Sequence, residues 1–583
     1  MPVDEREPVV APVRRRRLKD RLPVRLRHHW KPAGALCAGL AVAVYFFGDA
    51  RVSPYVTSSS RVEADTITQN IEGTVGLYDA SVSHSIQLTY EQTDFDKMMK
   101  EFEDEGTKDY LSADLTIDGV HLEDVGIRLK GNSTLSSLRG KGMGMPGGGR
   151  NMPGRAGAQQ GAPPAADQGA GGGRDRGRNT GGGPGTTEQQ PGRQAEDGEK
   201  GGNGANGGGA AGGQGAGGGG PAGMVQYDLS AKKPEELPWL IKIDEYIEGR
   251  AYQGEREISL RPGSDDQLPL NEALALSLTK SSGQPAEGYS FTSVQVNSRP
   301  AVTRLMVDNP DTEYAEAVGD GNGVLYKARA GGSFDYRGDD PSDYETSFRQ
   351  LNKTGSQDLE PVMKLIKWAD EASDKEFEEE LHQYVDVDSL ATYIATQNLL
   401  LNSDDISGPG KNYMLWYDLD TKKFSVLGWD YNLSLSGDTA AGPDDKVSMG
   451  GGPGGPGAPE GGLPEGMPEM PEGMPEMPEG MPGGGNGEAG KGRSMGGHAL
   501  KDRFLESDAF EAVYKAAYRK VYAKTYGSGT AKQALDTIAE QAREAAGSSA
   551  AGSSKELDAA VKKLRTTVTE RTAALAKNKQ VTG

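Results

Sequence analysis

The chain has 583 residues, of which 84 are glycine, and its formal net charge is −21. The acidic balance argues against nucleic acid as a partner, because binding to a phosphate backbone requires a basic surface. The single cysteine, Cys37, excludes an intramolecular disulfide and any Cys-x-x-Cys redox or metal site. The histidines show no spacing that is typical of a zinc site.

A basic segment followed by an apolar one opens the chain. Residues 14–31 contain nine Lys or Arg and one acid, and residues 33–47 carry no charge. This pattern predicts a cytoplasmic tail (1–31) and a transmembrane signal anchor (32–48), with the rest of the chain outside the cell membrane. The apolar run is short for a span, which usually needs about 20 residues. A cleaved signal peptide is the alternative, but no convincing small-x-small cleavage site follows Phe47, which favours the anchor.

Strand patterns begin beyond this segment, in residues 64–138. Period-two alternation predicts a strand over 85–90, and a short helix follows over 94–102. Residues 114–118 and 125–130 are predicted to pair as a hairpin, with Asp118 and Gly119 as its turn.

Residues 139–225 are dominated by Gly, Ala, Gln, Pro and charged residues. Such a segment buries too little apolar surface to offset its ordering entropy, so it is predicted to be a disordered insertion. Strand patterns resume directly after it, which indicates that it interrupts a domain instead of separating two.

Residues 226–437 are predicted to continue this domain. Strands are expected first and helices later, the last helix capped by Asp388 and followed by two short strands. The predicted strands cover 239–244, 257–260, 291–296, 302–307, 323–327, 413–417 and 424–427, and the predicted helices cover 270–280, 358–369, 376–384 and 388–401.

A second low-complexity tract, residues 438–497, is also predicted to be disordered, and the C-terminal part, 498–580, is predicted to be helical over 500–526, 530–546 and 554–577. A strand-rich part followed by a helix-rich part predicts an α+β fold in two lobes.

The densest group of candidate catalytic residues follows the helix over 388–401. Asp404, Asp405 and Asn412 precede the last predicted hairpin, and Asp430 follows it, so the two ends of one hairpin could bring them together. Phosphoryl transfer uses such a set, with a carboxylate that accepts the proton of the attacking hydroxyl and Asp and Asn oxygens that hold Mg²⁺. Ordinary loop capping by Asp and Asn is the alternative interpretation.

The N-terminal part offers possible phosphate-binding residues. Lys130, Gly131, Asn132 and Ser133 end a predicted strand in a small polar turn, whose backbone N–H groups could face phosphates. Such turns are common, so this observation is weak by itself.

Lys242 interrupts an apolar strand, and Glu272 starts a helix about thirty residues later. A strand lysine paired with a helix glutamate positions phosphates in kinases. A snorkelling edge-strand lysine and a first-turn glutamate favoured by the helix dipole are the alternative.

The combined pattern resembles the CotH (spore coat protein H-like) family of atypical protein kinases. The resemblance covers residues 80–437 without the first insertion and extends to the C-terminal helices. It rests on the following residues: Arg128 to Thr134, Ile241 to Asp244, Gly254, Leu260, Asp265, Asn271 with Glu272, Phe291 to Asn297, Gly323 to Lys327, Asn402 to Tyr413, and Trp429 to Asn432. Two features depart from the family: Asp308 stands where a glutamate is usual, and both glycine-rich insertions are unusually long.

The resemblance implies a reduced kinase fold that transfers phosphate from ATP, with Mg²⁺ or Mn²⁺, to Ser or Thr of extracytoplasmic or spore-coat-like proteins. It implies that Asp404 is the catalytic acid/base, with Asp405 as its rival, and that Asn412 and Asp430 bind metal. It also implies that Lys242 and Glu272 are the phosphate-positioning pair, and that residues 130–133 lie in the nucleotide-binding part.

Two other functions remain open at this stage. A membrane-anchored scaffold could retain the kinase-like fold without catalysis. The repeat Pro-Glu-Gly-Met-Pro-Glu-Met, which starts at Pro464 and again at Pro471, could bind Cu(I) through its thioethers, although a flexible acidic linker is the simpler interpretation.

Overall fold

The computed structural model describes residues 66–131, 133–139, 227, 229–263, 267–447, 497–547 and 555–583. The predicted anchor (32–48) and most of both predicted insertions lie outside these residues. Within them, none of the helices combines the length and the apolar character that a membrane span requires.

The fold is mixed α+β. Its strands are β1 (Gln69–Ile71), β2 (His84–Thr89), β3 (Leu111–Ile117), β4 (Val120–Leu129), β5 (Trp239–Lys242), β6 (Arg250–Tyr252), β7 (Glu257–Leu260), β8 (Tyr289–Val296), β9 (Val302–Asp308), β10 (Gly323–Ala328), β11 (Phe348–Gln350), β12 (Tyr413–Asp418) and β13 (Phe424–Gly428).

Its helices are α1 (Gln92–Glu105), α2 (Leu270–Ser282), α3 (Thr312–Ala317), α4 (Glu360–Glu371), α5 (Asp374–Tyr384), α6 (Val387–Leu399), α7 (Ala499–Glu506), α8 (Asp508–Lys524), α9 (Thr530–Gly547), α10 (Lys555–Lys577) and α11 (Lys579–Thr582).

Seven strands of the N-terminal part close into a barrel in the order β2-β3-β4-β5-β7-β9-β8. The barrel closes where β2 pairs in parallel with β8, from His84 opposite Thr292 to Leu88 opposite Val296. Alternate residues of β2 are buried, as a strand with one apolar face requires. The sequence predicted the strands but not the closure, because closure depends on a pairing between segments about 200 residues apart in the chain.

Helix α1 covers one side of the barrel core. Its buried face carries Phe95, Met98 and Phe102, and the Phe95 ring stacks on Tyr90 with 5.4 Å between ring centroids. The same ring lies 6.2 Å from Trp239 of β5. Aromatic packing of this kind fixes the helix against the strands that carry the predicted nucleotide-binding turn.

A second sheet, in the order β11-β10-β12-β13, lies in the helical part of the chain. Tyr326 of β10 and Tyr413 of β12 belong to a large apolar core shared with α2, α4 to α6 and the C-terminal helices. Helix α6 is buried nearly all round, so the loop that follows it leaves from a rigid element.

The predicted β3–β4 hairpin is confirmed. Asp118 and Gly119 form its turn with φ values of 50° and 85°, which is the left-handed conformation that two-residue hairpin turns need.

Two sequence predictions about helix ends were wrong. Asp386, not Asp388, caps α6, because its side chain accepts a hydrogen bond from the Ser389 amide. The helix predicted over 500–526 is two helices, α7 and α8, because Ser507 adopts an extended backbone and caps α8 through the Ala509 amide.

His84 ties the start of β2 to the β3–β4 turn. Its Nδ1 lies 2.7 Å from Asp118 Oδ2, and its Nε2 lies 3.0 Å from the Asp79 carbonyl oxygen. Both neighbours are acceptors, so both ring nitrogens donate only when the imidazole is protonated. Burial lowers the pKa of His84, but the hydrogen bonds to Asp118 and Asp79 outweigh it, and the pKa is raised above its usual value.

We predict that His84→Gln destabilises the protein more at acidic than at alkaline pH. A raised pKa in the folded state stabilises the fold fully below the unfolded value of about 6.5, and this contribution is lost as pH rises through the folded pKa. Denaturant unfolding should therefore give a loss of about 1 kcal/mol at pH 5.5 and a smaller one at pH 8.5. A loss independent of pH would show that the imidazole is neutral.

Candidate active site

The loop after α6 is anchored by a buried asparagine. Asn402 donates from Nδ2 to Gln397 Oε1 at 2.8 Å, and its own Oδ1 accepts a hydrogen bond from the Asp404 amide at 3.1 Å. Asn402 thus forms a local turn with Asp404, two residues later, and this turn fixes the start of the loop. The backbone at Asp404 is therefore set by the last turn of α6.

The Asp404 carboxylate is held at both oxygens. Oδ1 accepts from the Gly410 amide at 2.6 Å, and Oδ2 accepts from Asn412 Nδ2 at 2.9 Å. The loop from Gly408 to Gly410 wraps so closely around this carboxylate that a Cβ on either glycine would overlap Asp404. The two glycines are thus required by a close approach of backbone to side chain.

Asp430 is brought to the same point by the β12–β13 hairpin. Tyr413, the first residue of β12, pairs with Gly428, the last residue of β13, so the residues before β12 and after β13 are neighbours. Asn412 Nδ2 lies 3.4 Å from the Asp430 carbonyl oxygen. Asp430 has φ 54°, a conformation that costs a non-glycine residue about 1 kcal/mol and often marks functional sites.

Asp404, Asn412 and Asp430 therefore meet around one amide group, as the sequence predicted from the ends of a single hairpin. Burial, with repulsion from Asp430 and Asp405, raises the pKa of Asp404 to about 6 even though the Gly410 amide opposes the shift. At neutral pH this carboxylate is ionised and close to the pKa that suits a general base.

The rival residue Asp405 has a different environment. Its Oδ2 pairs with Lys501 Nζ of α7, and its Oδ1 accepts from the Ser407 amide at 2.9 Å. The ion pair joins the loop to the C-terminal helices. Asp405 is thus engaged in holding the loop, whereas Asp404 binds the Asn412 amide, which also contacts the Asp430 carbonyl.

The predicted pair of Lys242 with Glu272 is not formed. Glu272, which is buried, accepts from Arg261 Nε at 2.9 Å and from Arg261 Nη2 at 2.5 Å. Lys242 Nζ lies 2.8 Å from Glu245 Oε2, at the end of β5 that is remote from Trp239. The sequence assigned the wrong cation because the choice depends on the barrel register.

Arg261 connects Glu272 to the carboxylates of the site. Its Nη2 lies 3.7 Å from Asp430 Oδ1, so one guanidinium spans the helix residue and the proposed metal ligand. The signal that could have revealed it is its place directly after β7, a predicted strand.

Two lysines add positive charge beside Asp430. Lys130 Nζ donates to Asn309 Oδ1 at 2.6 Å, and Lys327 Nζ lies 3.3 Å from the centre of the Trp429 ring. Burial lowers the pKa of Lys130, and Arg261 and Lys327 lower it further. Lys327 was also missed, although it ends an otherwise apolar strand in the sequence.

The turn that follows Lys130 is only partly described. Gly131 has φ 105°, and its carbonyl oxygen accepts a hydrogen bond from Lys108 Nζ. Asn132 lies outside the described residues, and Ser133 begins a 3₁₀ turn. The predicted contact of this turn with phosphates stays a prediction.

The donors around Asp430 fit a magnesium–nucleotide complex better than a free metal ion. No three His, Cys, Asp or Glu side chains of the described residues are arranged to hold a metal by themselves. Mg²⁺ is commonly bound by one or two carboxylates together with substrate phosphates and water. The Asp430 side chain is 23% exposed, and with Asn412 it supplies the oxygen donors that this ion prefers.

Comparison with known families supports the same chemistry. The family model described as CotH kinase protein matches residues 228–575, which is more than half of the chain and includes Arg261, Glu272, Asp404, Asn412 and Asp430. A search of curated proteins finds no match. The match excludes the first strands of the barrel, so the Lys130 turn lies outside it. The chain belongs to the CotH kinase family.

Proposed function

We propose that this protein is an ATP-dependent kinase that phosphorylates Ser or Thr hydroxyls of proteins on the outer side of the membrane. The observation that carries the proposal is the Asn412 amide, which contacts the Asp404 carboxylate and the Asp430 carbonyl at once. It puts a candidate base beside a candidate metal ligand. In this proposal the barrel and the helical part are the two lobes of a reduced kinase fold.

Asp404 acts as the base in the proposed reaction. The acceptor hydroxyl oxygen forms a bond to the γ-phosphorus while the bond from that phosphorus to the β–γ bridging oxygen breaks. The electron pair of the broken bond leaves with ADP, and the hydroxyl proton passes to Asp404. The two hydrogen bonds that Asp404 accepts hold its carboxylate in one orientation, which is how positioning contributes to this reaction.

Arg261, Lys130 and Lys327 are the proposed phosphate-binding cations. Repulsion among them is part of what lowers the pKa of Lys130, and an anion between them would relieve it. Arg261 has a further role, because Glu272 accepts from its Nε and Nη2 and thereby fixes the guanidinium beside Asp430. The positioning pair of this enzyme is thus proposed to be Arg261 and Glu272.

Asp430 and Asn412 are the proposed ligands of Mg²⁺ or Mn²⁺. Held by these residues, the ion would neutralise the negative charge that develops on the transferred phosphate. Since Asn412 donates from Nδ2 to Asp404, its Oδ1 is the atom that can serve as a ligand.

The substrate class and location rest on sequence. The basic residues 14–31 and the uncharged residues 33–47 support an anchor with the catalytic part outside the cytoplasm. Surface or spore-coat-like proteins are the acceptors that this location and the family suggest.

The first prediction from this proposal concerns the base. Full-length protein with Mg-ATP should transfer phosphate to itself or to a generic acceptor, measured by mass spectrometry. Asp404→Asn should reduce the rate at least about 100-fold, since general bases contribute roughly 10²–10⁴-fold. Asp388→Asn, an exposed change on the first turn of α6, should leave the rate unchanged.

Transfer by Asp404→Asn at the normal rate would refute Asp404 as the base. Absence of transfer and of any nucleotide-dependent thermal shift in the unmodified protein would refute the kinase proposal and favour a non-catalytic scaffold.

The second prediction separates Arg261 from Lys242. Arg261→Lys keeps a charge opposite Glu272 but loses the two-bond contact, and kcat/KM for ATP should fall about tenfold, which is the effect of ~1.4 kcal/mol in the transition state. Lys242→Gln should change it by less than about threefold, since the partly solvent-exposed Lys242–Glu245 pair contributes little. A larger loss of kcat/KM for ATP in Lys242→Gln than in Arg261→Lys would identify Lys242 as the phosphate-positioning residue.

A further inference from the structure

Three cations share one face of the β10–β11 ribbon. Lys327 of β10 is directly opposite Arg349 of β11, and Arg329, two residues after Lys327, continues the ladder by donating from its amide to the Ser347 carbonyl at 2.9 Å. Because side chains alternate along a strand, Lys327, Arg329 and Arg349 point to the same side. We call these three residues the basic face.

The opposite side of the ribbon is apolar. Tyr326, Ala328 and Phe348 alternate with the cations and are buried in the main core. The orientation of the ribbon is therefore fixed, and the cations cannot turn away from their side of the sheet without exposing the core residues.

Like charges directly opposite one another on paired strands are destabilising, yet the basic face has no compensating ion pair among the described residues. Lys327 contacts the Trp429 ring, and Arg329 makes one long hydrogen bond, 3.5 Å, to the Phe348 carbonyl. The pKa of Arg329 is lowered by burial and by Arg349, with Glu345 as the opposing carboxylate. In a chain of net charge −21, this face keeps positive charge that a bound anion would neutralise.

The basic face reaches the catalytic loop. Met414, which pairs with Lys327, is two residues after Asn412. Arg329 and Lys411 line the same small cavity of about 10 Å³, and Lys411 lies between Gly410 and Asn412, the two residues that bind Asp404. The negative charge of Asp430 acts on Lys327 and opposes the lowering of its pKa by burial. Arg329 and Arg349, in contrast, are exposed to solvent.

We infer that Arg329 and Arg349 bind an acidic segment of the protein acceptor and thereby select hydroxyls that have Asp or Glu nearby in sequence. The inference rests on the proposed kinase function and adds its substrate class. Lys327, which is half-buried and interacts electrostatically with Asp430, is assigned to the nucleotide. The two exposed arginines then extend the positive surface from the phosphates towards the acceptor. Their planar guanidinium groups can form paired hydrogen bonds to carboxylates.

Binding without turnover tests the inference directly. A fluorescent serine peptide with glutamates on both sides is titrated into full-length protein that carries Asp404→Asn, in the absence of ATP, with anisotropy as the readout. Arg329→Glu together with Arg349→Glu should weaken binding at least about tenfold, because paired charges turn into like charges. A lysine-flanked peptide should bind the unmodified surface more weakly than the glutamate-flanked one.

A matched control makes the same change in net charge elsewhere. Lys520→Glu with Lys532→Glu alters two exposed residues of α8 and α9 and should leave peptide affinity within about twofold, as expected for surface charges remote from the contact. In protein that retains Asp404, the Arg329/Arg349 variant should keep its KM for ATP and lose its preference for the glutamate-flanked acceptor.

Three results would overturn the inference. The two peptides could bind equally well. The arginine variant could lose ATP affinity with peptide binding unchanged, which would assign the face to the nucleotide. The acidic peptide could bind only after residues 464–478 are deleted, which would assign the face to the glutamates of the chain's own repeat. Peptide binding is measured without ATP, so its result can be interpreted even if the protein transfers no phosphate.

Discussion

The Asn412 side chain makes the contact on which the rest of the site depends. One amide group donates to the Asp404 carboxylate and lies against the Asp430 carbonyl, so the loop after α6 and the loop after β13 are held together. Its position follows from the hairpin, because β12 and β13 pair up to their ends. Because the amide is planar, these contacts also fix the direction of Asn412 Oδ1, so the orientation of the proposed base is coupled to that of the proposed metal ligand.

The barrel supplies the other half of the site. Arg261 leaves β7 beside Glu272 of α2, and its guanidinium also approaches Asp430. Removing one partner of a buried ion pair costs about 3–5 kcal/mol, so this contact fixes how the barrel residues meet the hairpin. Arg261, Lys130 and Lys327 repel each other, and in the proposed function a bound phosphate would relieve this repulsion.

The sequence predicted what depends on short stretches of chain. The β3–β4 turn follows from Asp118 and Gly119, and the meeting of Asp404, Asn412 and Asp430 follows from one hairpin. Prediction from sequence was wrong where a contact depends on pairing between strands that are distant in the chain. Lys242 and Arg261 are both charged residues at strand ends, and only the barrel register puts Arg261, not Lys242, beside Glu272. Arg329 and Arg349 could not be related before the β10–β11 pairing was known.

The most direct test of the account is Asn412→Ala, assayed for Mg-dependent ATP affinity and for phosphate transfer on the same protein. If Asn412 serves both loops, the variant should lose Mg-dependent affinity as Asp430→Asn does and lose transfer as Asp404→Asn does. Combining it with either change should add little further loss, since groups that act as a unit are not additive. Normal Mg-ATP affinity together with normal transfer in Asn412→Ala would contradict the account.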